Sequence, residues 1–494
     1  MRFHKLIKKH SRVKNIVSAQ QDTTEPKPEI INHKTITHLF SSCEDVIIEA
    51  IPFKEKSNDV ETVVFVYSPG LADTELINKQ IVPHLEDLIE NNEYLSKEIV
   101  KEEWKMSSLA FIENKEQLAV EVFQGKLILF FEKLDTCYQI NIAKPPQRNT
   151  EETNSEVSIL GPRDGFIESI STNIALIRKR LPTSSLKYER FTIGARSQTK
   201  VGLVYIDDII NPEIVKEVQT RISKIDVDTL FSSNQLAEII SARTFHIFPI
   251  FDYTGRPDFV VNSLMRGRFA IFIDGNPTAV VGPVNLFFLL KSAEDSEYFF
   301  VYNTFERLLR LFGILIAVFL PGFWIALVTF HQDQIPILLL ATLSTARAGV
   351  PLPSPVEALI MMGLFELFRE AGARLPIAVG QTLTVVGGLI IGDAAIRAGL
   401  TSPGMVVVIA TALVANFTLV NQSLIGVISI LRFGVVIMAG FFGMFGFMIV
   451  GLMIIVYLAN LRTFGIPYLT PLFPMTSLKN LVTRTTRPSW KKID

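Results

Sequence analysis

The runs Gly404–Leu431 and Phe433–Ala459 contain no charged residue, and Arg432 alone separates them. Each run exceeds the roughly 20 apolar residues that carry a helix across the hydrocarbon core of a bilayer. Backbone polar groups in that core must be satisfied within the segment, so the runs are expected to be helices. With one residue between them they read as a tight helical hairpin that turns at Arg432. Leu311–Phe330 is a third uncharged run, and Pro321-Gly322 in its middle predicts a kink. Ile377–Ala398 spans only if Asp393 and Arg397 are accommodated. The expected spans are therefore 311–330, 376–398, 404–431 and 433–459. Residues 335–372 read as an irregular or re-entrant element, because Pro351, Pro353 and Pro355 interrupt them and Glu357 and Glu366 charge them.

The charges divide the chain into two physical objects. Of 48 basic and 49 acidic residues, 35 basic and 43 acidic precede position 307, which leaves 13 basic and 6 acidic beyond it. The first part is long enough for about two soluble domains. Its basic start, MRFHKLIKKHSRVKN, has no apolar run behind it, so this half is expected to stay in the cytosol. The C-terminal tail 461–494 carries Arg462, Lys479, Arg484, Arg487, Lys491 and Lys492 against Asp494. The positive-inside bias places it in the cytosol too, which requires an even number of crossings. Cys43 and Cys137 form neither a metal spacing nor a disulfide framework.

The soluble half reads as two α/β subdomains of similar design, 41–143 and 161–305, preceded by a polar arm (1–40) and joined by a linker (144–160). YSPGLADTELINK at 67–79 parallels YIDDIINPEIVKE at 205–217, each after an apolar β-rich run. In each, an Asx residue (Asp73, Asn211), then Thr or Pro, then Glu (Glu75, Glu213) marks a helix start. LAVEVFQGKLILFFE at 118–132 parallels FVVNSLMRGRFAIFID at 259–274, with Gly125 and Gly267 ahead of a strand. No P-loop, GxSxG or HExxH is present, and the paired acids Glu44-Asp45 and Asp207-Asp208 read as solvated. The chain is not expected to be an enzyme, to hold a cofactor or metal, or to bind nucleic acid.

One stretch departs from its apolar surroundings. ELFREAGARLPIAVGQTLTVVGGLIIGDAAIRAG, 366–399, holds Glu366, Arg369, Glu370, Arg374, Asp393 and Arg397. A charge at the bilayer centre costs about 2.5–3.5 kcal/mol or more, so these groups must be paired, wet or near headgroups. Glu366–Arg369 is spaced i,i+3, and Glu370–Arg374 and Asp393–Arg397 are i,i+4 with the acid first. Gly387, Gly388 and Gly392 allow close helix packing. Gln381, Asn416, Asn421 and Gln422 add hydrogen-bonding groups suited to a weak polar path.

The run EALIMMGLFELFREAGARLPIAVGQTLTVVGGLIIGDAAIRAGL (357–400) resembles the signature of A subunits of GerA-type spore germinant receptors. So do GPRDGFIESISTNIALIRKRL (161–181), RPDFVVNSLMRGRFAIFIDGNP (256–277), VTFHQDQIP (328–336), LRFG (431–434) and FGIPYLTP (464–471). The related SpoVA-operon F protein shares the architecture. The resemblance covers roughly 160–475. It implies a multi-pass protein of the spore inner membrane, similar in role to a ligand-gated channel protomer. Such a protein is expected to form homo-oligomers and to release monovalent cations. Its implied partners are a permease-like B subunit, which reads the nutrient, and a lipoprotein C subunit. An alternating-access transporter and a non-conducting receptor scaffold are the competing readings.

Overall fold

A computed structural model describes residues 31–56, 59–92, 94–104, 109–112, 114–146, 161–241, 246–374 and 392–470. Residues 1–30, 147–160 and 471–494, which make up most of the arm, linker and tail named above, lie outside the described residues. The chain divides into two compact units, residues 1–147 with 174–189 and residues 148–173 with 190–494.

The first unit is built on strands β1 (Ile47–Lys54), β2 (Val60–Tyr67), β3 (Ala110–Ile112), β4 (Lys126–Phe131) and β5 (Thr136–Asn141), in the order β1-β2-β4-β5-β3. Alternation along β2 serves two cores. Val63 and Phe65 pack with Leu85 and Ile89, whereas Val64 and Val66 pack with Leu118 and Phe123. Both faces of the sheet are thus covered by helices. Asp45 is not a solvated loop acid. Arg178, fully buried, clasps it through two nitrogens at 2.7 and 2.8 Å and lies 3.8 Å over the Phe123 ring.

The second sheet is formed by strands β6 (Leu186–Ile193), β7 (Thr199–Ile206), β8 (Asp252–Thr254), β9 (Phe269–Ile273) and β10 (Ala279–Gly282), in the order β6-β7-β9-β10-β8, and its strands from residue 190 onward belong to the second unit. This order repeats that of the first sheet. The registers correspond as well: Val63 faces Phe131, and Val201 faces Ile273. The shifts, 201 − 63 = 138 and 273 − 131 = 142, are those separating the paired sequence motifs. Both helix starts are capped alike. Asp73 accepts from the Glu75 amide at 3.1 Å, and Asn211 accepts from the Glu213 amide at 3.0 Å. Gly125 and Gly267 both take positive φ, 88° and 74°, between a helix and a strand.

The helical region belongs to the second unit. Its helices are α1 (Phe300–Phe330), α2 (Ile337–Arg347), α3 (Ser354–Ala373), α4 (Pro403–Phe417) and α5 (Gln422–Asn460). Among the described residues, α1 over Val301–Phe330 and α5 are long and apolar enough to cross a membrane. Pro321 lies inside α1 without ending it. The segment 335–372 is ordered as α2 and most of α3, with its prolines ahead of α3 or in its first turn, where no amide hydrogen bond is lost.

The expected turn at Arg432 is displaced. Arg432 lies within α5, and the chain instead breaks twice, at Thr418–Asn421 and at Gly443. A straight α5 would run about 58 Å, roughly twice the ~30 Å hydrocarbon core. Gly443 adopts φ 60° and ψ −139°, a conformation open to glycine, and the helix doubles back there. A side chain placed on Gly446 would strike the carbonyl of Met438, eight residues earlier. On α1, Gly322 abuts Val435 and Phe330 abuts Gly443, so the first leg of α5 runs alongside α1 in the same direction. Phe319 and Phe323 then meet Phe447, so the second leg returns.

The returning leg ends in the α/β core. After Asn460 a short strand pair, Arg462–Thr463 with Ile466–Pro467, carries Phe464 against Phe251 and Phe269. The Tyr468 hydroxyl donates to the Pro249 carbonyl at 3.0 Å. The start of the C-terminal tail is therefore a structural plug in the second α/β subdomain.

Gly443→Ala places a Cβ about 2.9 Å from the Phe330 ring and forces a non-glycine residue into a strained backbone. We expect a loss of about 1–3 kcal/mol, read as a lower melting temperature of the detergent-solubilised chain. An unchanged midpoint would contradict the reversal at Gly443.

Candidate functional site

Ionisable groups inside the helical region persist only where neighbours compensate their desolvation, so their partners define the site. Helix α3 supplies Glu366 and Arg369, one turn apart. Helix α5 supplies Ser429 and Arg432, also one turn apart. Arg369 pairs with Glu366 and donates to the Ser429 hydroxyl at 3.0 Å. Arg432 donates to the same hydroxyl at 3.2 Å and stands 3.8 Å from the other Glu366 oxygen. Arg432 is 1% exposed, and its Nε and Nη1 have no hydrogen-bond acceptor. One carboxylate thus faces two guanidinium groups, which leaves a positive excess inside an apolar bundle. The sequence spacing predicted Glu366–Arg369 but not the cross-helix partner Arg432, which had read as a turn residue.

A second buried acid went unread as a site residue. Glu357, on the first turn of α3, is fully buried. One of its oxygens accepts from the Ser402 amide at 2.6 Å, the Ser402 hydroxyl at 2.8 Å and the Thr401 hydroxyl at 2.9 Å. Arg347, at the end of α2, lies 3.7 Å from the other oxygen. The carboxylate therefore sits at the N-terminus of α4, where free amides and the helix dipole favour negative charge. The Thr401-Ser402-Pro403 helix start was the signal that could have pointed to such an anion.

The remaining candidates fall into different environments. Glu370–Arg374 and Asp393–Arg397 form the expected i,i+4 pairs at 2.7 and 2.8 Å, with every partner more than half exposed on the single chain. Asn416 is buried at the end of α4 with its Oδ1 unpartnered. Asn421 caps α5 by accepting from the Leu424 amide at 3.2 Å, and its Nδ2 donates to Asp252 on β8. Gln422 is exposed at the first turn of α5. Gly392 leaves room for Val406, whose Cγ1 lies 3.7 Å from where a Cβ would be. Gln381, Gly387 and Gly388 lie outside the described residues. Among the described residues no three His, Cys, Asp or Glu side chains converge on a metal position.

Comparison with known proteins gives one answer. The family model of the Bacillus/Clostridium GerA spore germination protein matches residues 34–494. Spore germination protein XA of Bacillus anthracis is 46% identical over 446 residues, 90% of each chain. The uncharacterized membrane protein YfkQ of Bacillus subtilis (strain 168) is 35% identical over 447 residues, 90% of this chain and 86% of that one. A crystal structure of the N-terminal domain of the A subunit of the Bacillus megaterium spore germinant receptor GerK3 is 26% identical. It covers 51% of this chain and 92% of that domain, with a TM-score of 0.40.

The Glu366 cluster yields an asymmetric expectation. Glu366→Gln leaves Arg369 and Arg432 facing each other without an anion, at a cost of about 3–5 kcal/mol. Arg432→Met leaves the Glu366–Arg369 pair intact and removes a partly unsatisfied guanidinium, so it is expected to cost well under half as much. Thermal unfolding of the two variants in detergent decides this, and equal losses would contradict the assigned pairing.

Proposed function

Because the chain belongs to the Bacillus/Clostridium GerA family of spore germination proteins, we propose that it is the A subunit of a nutrient germinant receptor in the spore inner membrane. In this reading it oligomerises with copies of itself and, with a permease-like B subunit and a lipoprotein C subunit, opens a path for monovalent cations when the B subunit binds its nutrient. The α/β region then lies on the cytosolic side. In this reading helices α1, α3 and α4 and both legs of α5 cross the membrane. The stretch 376–398, of which 376–391 lie outside the described residues, supplies a further crossing, so that six crossings replace the four expected from the sequence. That count is even, in keeping with a C-terminal plug that rejoins the α/β region.

The observation that carries this reading is the placement of polar groups. Glu366, Arg369 and Arg432 tie α3 to α5 within the bundle. Glu370–Arg374 and Asp393–Arg397 stay exposed on the single chain although they lie in an otherwise apolar stretch. Exposed ion pairs at the ends of apolar helices need headgroups, protein or water beside them, and in this reading an oligomer around a polar path supplies them. Weak, multiple sites of the kind Gln and Asn side chains offer suit conduction better than one tight site.

Asp393→Asn separates the alternatives. An exposed pair contributes at most about 1 kcal/mol, so the chain is expected to stay folded and present. Potassium efflux from spores after nutrient addition should slow by roughly tenfold or change its ion preference, the equivalent of about 1.4 kcal/mol. Unchanged efflux with normal protein level would remove these charges from the path. Loss of efflux only in step with loss of partner subunits would favour a scaffold.

A further inference from the structure

Where α1 leaves the second α/β subdomain, cations from three elements gather near Asp295 and Asp252. Asp295 accepts from Arg307 and Arg310 of α1 at 2.9 Å each. Arg310 also holds the Leu290 carbonyl at 2.9 Å and lies 3.4 Å from Glu306. Arg266 and Arg268 come from the loop between the helix Pro257–Leu264 and β9. Arg268 donates to the Pro283 carbonyl at 3.1 Å and stacks 4.0 Å over Phe288, so its position is fixed. Lys291 completes the group.

Two of these cations make no direct ion pair among the described residues. The Arg266 Nε is buried without an acceptor. Lys291 makes no side-chain hydrogen bond or ion pair among the described residues. Burial, followed by Arg266, Arg307 and Arg268, pushes the Lys291 ammonium well below the ordinary lysine range. Burial and Arg266 push Arg268 down to about 10. Asp295 acts on Lys291 and Asp252 on Arg268, and neither acid offsets the burial and the neighbouring cations.

The surroundings select the occupant. The uncharged run of α1 begins at Leu311, one residue beyond Arg310. Phe305, Leu308 and Phe312, on the same turns of α1, are about half exposed. Basic groups beside exposed aromatic and aliphatic side chains at the end of a spanning helix match a phospholipid, headgroup phosphate on one and acyl chain on the other. We propose that Arg266, Lys291 and the outer faces of Arg268 and Arg307 bind the phosphate of an anionic phospholipid at the membrane surface facing the α/β region. The bound lipid neutralises the unmatched charge and fixes the angle at which α1 enters the bilayer. This inference rests on the reading that α1 crosses the membrane.

The full chain in nanodiscs of phosphatidylglycerol with phosphatidylcholine, delipidated stepwise and examined by native mass spectrometry, tests it. The parent chain is expected to retain phosphatidylglycerol preferentially. The double variant Arg266→Gln/Lys291→Gln should retain about thirtyfold less, about fivefold per cation. Arg196→Gln, at an exposed site beside Asp228, should match the parent. Because the double variant removes unpaired buried charge, it is expected to fold, and its melting temperature in neutral detergent should not fall. Equal retention by parent and double variant overturns the proposal. So does stabilisation of the parent by inorganic phosphate to the level given by phosphatidylglycerol, which assigns the site to a free anion. If the chain is released from membranes by alkaline carbonate, the spanning reading fails instead.

Discussion

A guanidinium shielded from water must find a negative partner or be expelled, and Arg432 imposes that requirement on the whole helical region. It sits in the middle of the first leg of α5, between uncharged runs, and Glu366 of α3 is its compensating acid. With the Arg369–Ser429 hydrogen bond this pairing ties α3 to α5. It converts a segment with too many charges for an ordinary span into an inner element of the bundle. Glu357 repeats the logic at the other end of α3, where the amide and hydroxyls at the start of α4 receive it. Buried charge thus specifies which helices meet, while apolar packing among Ile325, Met361, Met362, Ile409 and Val436 fills the space between them.

The same unit ties helices to the α/β fold at three places. Asp295 holds α1, Asp252 holds the start of α5 through Asn421, and Phe464 and Tyr468 seat the end of α5. These three contacts fix α1 and both ends of the α5 hairpin to one α/β subdomain.

The duplication was legible because it rests on local chemistry. Asx caps, glycine turns and apolar strands repeat at fixed offsets, and the two sheets carry the same offsets in their registers. The apolar helices were partly legible for a different reason. Uncharged runs show that a segment avoids water, but they do not show where it turns. Arg432 looked like a boundary because a charge ordinarily marks one. A partner 66 residues earlier in the chain (432 − 366) made it internal, and the reversal fell to Gly443, whose signal is conformational. Glu357 escaped notice because its partners are a backbone amide and two hydroxyls at 401–402, a long-range cap without sequence periodicity. The C-terminal plug was hidden by its basic surroundings, which suggested a solvated tail, although FGIPYLTP carries the apolar residues that fill the α/β core.

The most direct test of this account is the conductance of planar bilayers holding the chain together with the proposed permease-like and lipoprotein partners, recorded before and after nutrient addition. The account predicts that nutrient opens a conductance selective for monovalent cations over anions. It also predicts that the chain is present as an oligomer in those bilayers. An assembled complex that binds nutrient and stays electrically silent at every voltage would contradict it, and the buried charges would then belong to a scaffold.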